Sequence, residues 1–394
     1  MTVEAGSSAA PAALRVLVAH SFYRLSGGED RYVTDQIELL RHRHVVELLR
    51  RDNDDLPGGA ATLAQMTFSR TQERAVAEVV RGFEPDVVHL HNAYPSLGPA
   101  VHRAAGRLGV PLVMTVHNYR LRCPNGYMFT EGGRCTRCEG GAYFNAVMHR
   151  CFESRAQAAG YATALWIHRF ALDLADRVDL FIAPSEFVGR RLLGWGLPPE
   201  RVAVVPHPTI LRPATTAPGD YGLYVGRLSP EKGLDLLLDA LRAAGDPPFK
   251  IVGGGPLLER LEARAHAIGL VGTEFTGHVS SDDVGGLLAG ARFVVVPSLW
   301  EEVAGLAALE AMAAGRALLV ADSGGLPELV RDGEGLSFPA GDAQALADGI
   351  TRLLGDAELC AAAGERGLAR ARSEFSPERH LEGLESAYRR VLGA

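Results

Sequence analysis

Residues 300–330 read WEEVAGLAALEAMAAGRALLVADSGGLPELV, an acidic turn, a glycine, a helix-forming run of alanine and leucine, and then the apolar segment ALLVAD at 317–322. A helical stretch feeding a continuously apolar strand is the crossover pattern of a parallel sheet buried on both faces. Glu302 and Glu310 stand eight positions apart across Gly305. In helical geometry that is a little over two turns, so the carboxylates share a face about 12 Å apart along the axis. They are too far apart to hold one proton or one metal ion jointly. Two readings are open. The pair can grip the ends of an elongated polar ligand, of the shape of a nucleotide sugar, with Gly305 admitting it close to the backbone; or the helix is amphipathic and both glutamates are solvated.

The same strand-then-helix pattern extends in both directions. RVLVA (15–19), DVVHL (86–90), PLVMTV (111–116) and DLFIAP (179–184) are near-continuous apolar runs in the first half. RPATTAPGD (212–220) interrupts the pattern with proline, threonine and glycine, as linkers do. It resumes with YGLYVG (221–226), FKIVGG (249–254), TEFTG (273–277), RFVVVP (292–297) and ALLVAD. The expectation is an α/β chain of two doubly wound, Rossmann-like domains facing across a cleft, spanning 14–212 and 218–375. In such sheets ligands collect at the carboxyl ends of strands.

Composition excludes several classes. At 394 residues, the chain exceeds what one core comfortably serves. Hydrophobic residues make up 47% and charged residues 22%, which describes a globular enzyme rather than a disordered chain. A formal charge of −7 argues against a nucleic-acid partner. No apolar run reaches the length of a membrane span. Residues 1–13, MTVEAGSSAAPAA, contain neither lysine nor arginine and no apolar core, so they read as a disordered tail rather than a signal peptide. The expected location is cytoplasmic.

Residues just after the strands carry the candidate chemistry. His117 and Asn118 follow PLVMTV, where a histidine can hydrogen-bond a sugar hydroxyl or simply cap the strand end. Gly27 and Gly28, in SGGEDRY, free backbone amides at a helix start that attracts phosphate, or else form an ordinary tight turn. VGRLSPEKG places Arg227 directly after a strand and Lys232 five residues on. A guanidinium and an ammonium together compensate a diphosphate without a metal, unless both are solvated surface cations. Pro230 between them suits a shaped loop leading into a helix.

SGGED, TVHN at 115–118, VGRLSPEKG at 225–233, VGGGP at 252–256, and Glu302 and Glu310 followed by EAMAAG occur in one order. In this set the chain resembles the retaining nucleotide-sugar glycosyltransferases of family four, which have the GT-B fold. The resemblance covers nearly the whole chain. It implies a nucleoside diphosphate sugar held mainly by the second domain and a hydroxyl-bearing acceptor, small-molecule, glycan or lipid-linked, held mainly by the first. By position, Arg227 and Lys232 would hold the diphosphate, Glu310 the ribose and Glu302 the donor sugar. The amides near Gly305 and Leu306 would contact sugar or phosphate, His117 would line the reaction centre, and Gly277, His278 and Val279 would lie near the base. The terminal segment 376–394 would form a helix that packs back on the first domain. Transfer would retain the anomeric configuration, with the leaving diphosphate accepting the acceptor's proton and no metal in the chemistry.

Three positions depart from the family pattern. Ala304 stands where an aromatic residue often precedes the glycine, Gly315-Arg316-Ala317 replaces a common Gly-x-Pro, and His207-Pro208 replaces Asn-Gly. They point to an altered sugar preference or to an impaired donor pocket, and the presence of Arg227, Lys232, Glu302 and Glu310 favours the first. A nucleotide-sugar epimerase of the same fold and a non-catalytic sugar-nucleotide-binding module are the alternative classes.

Cys123, Cys135, Cys138 and Cys151 occupy one insertion, 119–154, with a C-x2-C pair flanked by two further cysteines. That is the inventory of a closed, structural tetrahedral zinc site, with disulfides or free thiols as competitors. Cys360 reads as a packing residue. The helical stretch 155–177 carries Trp166, His168, Arg169 and Phe170. Its stripe is read as core on one face and solvent on the other, in preference to membrane contact. Asp52, Asn53, Asp54 and Asp55 read as a solvated loop.

Overall fold

The computed structural model describes residues 13–23, 27–209, 217 and 219–393. All but the last residue of the expected tail at 1–13, and most of the expected linker at 212–220, lie outside the described residues. The strands in chain order are β1 (Arg15–Phe22), β2 (Val45–Asp52), β3 (Val87–Leu90), β4 (Leu112–Thr115), β5 (Phe129–Thr130), β6 (Gly133–Arg134), β7 (Leu180–Ala183), β8 (Val202–Val204), β9 (Tyr221–Val225), β10 (Phe249–Val252), β11 (Thr273–Gly277), β12 (Ala291–Val296), β13 (Ala317–Ala321) and β14 (Gly335–Phe338).

Two compact units make up the chain. One holds residues up to Met114, Arg177–Asp179 and residues from Tyr388 on; the other holds Thr115–Asp176 and Leu180–Ala387. In the first unit β1 lies parallel between β2 and β3, and β3 pairs parallel with β4. Val16, Leu17, Val18 and Ala19 are wholly buried there, as continuous apolar strands require. β2, VVELLRRD, escapes the apolar-run reading because it is an edge strand with alternate residues exposed. The aspartates that follow form a short 3-10 turn, Asn53–Asp55, and Asp52 itself pairs with Arg50.

In the second unit a six-stranded parallel sheet runs in the order β11-β10-β9-β12-β13-β14. A single apolar cluster, including Leu223, Ile251, Val294, Leu319 and Met312, fills the space between this sheet and its helices. β7 and β8 pair parallel, and β5 and β6 form a short antiparallel hairpin inside the cysteine-bearing segment. Arg316, one of the family departures, is fully buried at the entry to β13, where its guanidinium donates to the carbonyls of Ala291 at 2.8 Å and Ala217 at 2.9 Å. A buried arginine thus satisfies strand-end carbonyls.

The last helix, Pro377–Leu392, ends in the first unit, where the Tyr388 hydroxyl lies 2.8 Å from His89 Nδ1. The stretch 155–177 is not one helix. An α-helix covers Arg155–Trp166, then Ile167–Ala171 widens into a π turn closed by Leu172 N–H to Ile167 O. Among the described residues no helix is long and apolar enough to cross a membrane.

Candidate active site

The carboxyl ends of β9, β10 and β11 are brought together by glycine. Gly253 (φ 134°) passes so close to the β9 loop that a Cβ there would lie 2.0 Å from Gly226 O, and one on Gly255 (φ 154°) would lie 2.4 Å from Leu228 O. Gly253 N–H in turn donates to Gly277 O at 2.9 Å. The VGGGP loop therefore bridges the loop bearing Arg227 to the one bearing Gly277, the exposed His278 and the half-buried Val279.

Lys232 is placed by a turn rather than by the helix start that the spacing predicts. Pro230–Lys232 form a 3-10 turn ended by Gly233 (φ 73°), and the helix begins at Leu234. A side chain on Gly233 would meet Pro297 O at 2.0 Å, so glycine lets this turn lie against the end of β12. Leu299 N–H then donates to Glu231 O at 2.9 Å. This register sets Lys232 Nζ 2.6 Å from Glu302 Oε1, which Ser298 Oγ also reaches at 2.6 Å. Burial pushes the Glu302 carboxyl upward, but the Lys232 charge and the hydrogen bonds from Lys232 and Ser298 outweigh it and hold it below its usual range.

Arg227 is half-exposed, and its guanidinium donates to Glu231 Oε1 at 2.7 Å and to the Tyr127 hydroxyl at 2.9 Å. Burial alone would lower its pKa; Tyr127 and Glu231 reverse that and raise it. Around the pair of cations stands an aromatic group. The Trp300 ring lies under Lys232 Nζ at 5.2 Å, with Tyr127 and Tyr119 edge-on to it at 5.4 and 6.0 Å. Tyr119 OH donates to Glu301 O at 2.7 Å, fixing the backbone just before Glu302.

The two glutamates are not on one helical face. The helix starts only at Leu306, after Gly305 in the left-handed region (φ 69°), so Glu310 is helical and Glu302 belongs to the preceding loop. That corrects the shared-face geometry read from an eight-residue spacing. Glu302 is instead held by its own contacts, and Glu310 is half-buried on the helix. Gly305 is needed for its φ and because a Cβ there would meet Leu326 Cδ2 at 2.7 Å.

His117 is half-buried, and its ring lies 5.3 Å from that of His207, the residue that departs from the family's Asn-Gly. His207 is buried, and burial first, with His380 as a second imidazole that would repel its proton, lowers its pKa well below the usual value. Gly27, extended at φ −130°, precedes the helix Gly28–Arg41 in the first unit, and its Cα faces open space. Arg227, Lys232, Glu302 and the strand-end glycines thus converge in the second unit, whereas Gly27 and Gly28 belong to the first.

Tyr119, Tyr127, Glu231, Ser298 and Trp300 were not among the predicted site residues. Trp300 and Glu231 adjoin predicted ones, so proximity in sequence was a usable signal. Tyr119 and Tyr127 reach the site through tertiary packing alone.

All four insertion cysteines are free thiols, and together with Asn145 and His149 they line one pocket. Yet among the described residues no group of three or more His, Cys, Asp or Glu side chains is arranged to hold a metal ion. Cys123 Sγ is directed to Asn125 Oδ1 at 2.9 Å and Cys138 Sγ to Ala142 O at 3.7 Å. The thiols thus gather at one pocket without meeting in a tetrahedral set. Cys360 is buried, as a packing residue is.

Two parallel-sheet α/β units of this kind have the GT-B fold. Residues 23–208 match the glycosyl transferase 4-like domain, and residues 217–370 match glycosyl transferases group 1. An uncharacterized glycosyltransferase of Methanocaldococcus jannaschii is 39% identical over 97 residues, 24% of this chain and 27% of that protein. O-antigen chain mannosyltransferase C of Escherichia coli is 30% identical over 180 residues, 45% of this chain and 48% of its own length. The chain therefore spans less than half of each of these relatives. Among solved structures, Anabaena Alr3699/HepE in complex with UDP and glucose superposes with a TM-score of 0.67 at 21% identity, over 95% of this chain and 99% of that one.

Proposed function

We propose that this chain is a retaining glycosyltransferase that moves a sugar from a nucleoside diphosphate sugar to a hydroxyl of a small-molecule, glycan or lipid-linked acceptor, in the cytoplasm and without a metal in the chemistry. The observation that carries the reading is the convergence of Arg227, Lys232 and the buried Glu302 at the carboxyl ends of the second-unit strands. The UDP and glucose held by the Anabaena neighbour of the same fold support it.

Arg227 and Lys232 bind the diphosphate, and Lys232 exchanges its contact with Glu302 for a phosphate oxygen. Glu302, released, accepts hydrogen bonds from donor-sugar hydroxyls, and Glu310 binds the ribose. The amides at Gly305 and Leu306 meet sugar or phosphate oxygens, Gly277, His278 and Val279 flank the base, and His117 faces the transferred sugar. Gly27 and Gly28, at the helix start of the first unit, offer amides to a phosphate or a polar acceptor group. In the transfer step the bond from the anomeric carbon to the diphosphate oxygen breaks as the acceptor oxygen bonds the same face. The acceptor's proton passes to the departing diphosphate. Arg227 and Lys232 stabilise the charge growing there, and exclusion of water suppresses hydrolysis.

The test is a thermal-shift screen over uridine, guanosine, adenosine and thymidine diphosphate sugars, followed by transfer assays with the best donor. The anomeric configuration of the product is read by NMR. Conversion of donor to an epimer with no acceptor present, or an inverted product, overturns the reading; activity abolished by a chelator overturns its metal independence. We further propose that the four-cysteine pocket closes on a structural zinc when supplied with it. Near-stoichiometric zinc in protein purified without chelator supports this, and its absence overturns it.

A further inference from the structure

Eight large apolar side chains are exposed among the described residues, and four of them lie within residues 144–170. Phe144 is 66% exposed, Met148 69%, Trp166 53% and Phe170 52%. Phe144 and Met148 stand four apart on the short helix Asn145–Met148 and its N-cap, so they share a face. Trp166 and Phe170, likewise four apart, have ring centroids 5.7 Å from each other. The two pairs are linked through Tyr143, the residue before Phe144, whose ring lies 6.4 Å from that of Phe170. The helix stripe read from sequence as core and solvent therefore presents its aromatic residues to solvent, while Leu165 and His168 are the buried ones.

The segment that bears these residues carries charge opposite in sign to that of the chain. Residues 119–170 contain seven arginines and three glutamates, a net of +4 in a protein of net −7. Arg150, two residues after Met148, and Arg155, at the start of the helix that ends at Trp166, are exposed, and Arg169 stacks on Phe170 at 5.0 Å. Exposed tryptophan, phenylalanine and methionine rimmed by arginine match the headgroup boundary of an anionic bilayer. A second copy of the chain docking the same face would bring like charge against like charge.

We propose that Phe144, Met148, Trp166 and Phe170, with their arginine rim, form a docking face for an anionic lipid surface. The aromatic rings and Met148 enter the headgroup region while Arg150 and Arg155 meet lipid phosphates. The inference is independent of which sugar or acceptor the site uses.

The test is co-flotation of the full chain with vesicles of phosphatidylcholine, with and without phosphatidylglycerol. Binding to the anionic vesicles only, weakened by added salt, is the expected result. Trp166→Ser, and separately Phe144→Ser with Met148→Ser, should each lower the partition coefficient at least ~tenfold with an unchanged melting temperature. Arg150→Gln with Arg155→Gln should lower it without altering thermal stability. Wild-type protein that stays with the unbound fraction, or apolar substitutions that leave binding intact, overturns the proposal. So does light scattering that shows a dimer lost in Trp166→Ser.

Discussion

Lys232 Nζ and Glu302 Oε1 are 2.6 Å apart, and the carboxylate side of this pair is buried while the ammonium side is partly open to solvent. The pair holds a charged group ready at the strand ends that either a phosphate or a sugar hydroxyl can engage. Removing one member of a buried pair leaves the other uncompensated, at about 3–5 kcal/mol. Lys232→Ala should therefore lower the unfolding free energy measured by denaturant titration by an amount in that range, and Lys232→Met with Glu302→Gln should recover part of it. A double-mutant cycle giving coupling below about 0.5 kcal/mol would remove the pair as an organising contact.

Acid should weaken the same contact. The folded Glu302 pKa lies below its ordinary value of 4.5. Its contribution to stability is therefore fully present above that value and is lost as pH falls through the folded pKa. Unfolding midpoints measured from neutral pH into acid should decline more steeply for wild type than for Glu302→Gln. Parallel curves would show that the carboxylate is not stabilised in the folded state.

Arg227 is held by two different segments, Glu231 in its own turn and Tyr127 in the cysteine-bearing insertion. Arg227→Ala should lower kcat by about 10²–10³, the range for loss of one stabilising donor. Tyr127→Phe keeps the Glu231 contact, and loss of one hydrogen bond worth about 1 kcal/mol predicts a roughly fivefold fall. Steady-state kinetics of both variants decide the matter: equal losses would mean that Tyr127 acts by more than holding Arg227.

In the second unit β9, β10, β12 and β13 were legible as near-continuous apolar runs, which a doubly covered parallel sheet needs, whereas the edge strands β11, TEFTG, and β14, GLSF, have no such run, and β14 was not read from the sequence. β2 was not, since an edge strand carrying Arg50, Arg51 and Glu47 has no such run. Arg227, Lys232 and Glu302 were legible as types placed after strands. Their joining was not, because Gly233, Gly253 and Gly255 act through what their missing Cβ permits, and the carbonyls that approach them belong to distant loops. The eight-residue spacing of Glu302 and Glu310 misled in geometry because nothing in AlaGlyLeu fixes the helix start; the left-handed Gly305 does.

His380 is a buried imidazole whose pKa burial lowers to about 4, against the lift from its hydrogen bond to Pro206 O at 2.7 Å. The unfolded chain takes up its proton near the ordinary value of 6.5. Stability from this group is thus complete above 6.5 and declines as pH falls towards 4, by up to about 1.4 kcal/mol per pH unit. His380→Gln should flatten the stability profile over that window. An unchanged slope would place the acid sensitivity elsewhere.

Gly324 lets one loop lie directly on another, for a Cβ there would stand 2.2 Å from Glu302 O and 2.3 Å from Glu302 N. These are backbone atoms, so a side chain cannot be absorbed by a rotamer change and must move the Glu302 segment. Gly341 supplies the control: its φ of 89° is also left-handed, but no atom lies within 4 Å of its added Cβ. Gly341→Ala should therefore carry only the backbone penalty of about 1–2 kcal/mol, with kcat unchanged. Gly324→Ala adds displacement of Glu302, and a shift of this kind can slow a positioned reaction about a hundredfold. Comparing kcat of the two variants, with folding checked by circular dichroism, isolates the close approach. Equal kcat values would mean that Glu302 tolerates displacement and does not position the donor.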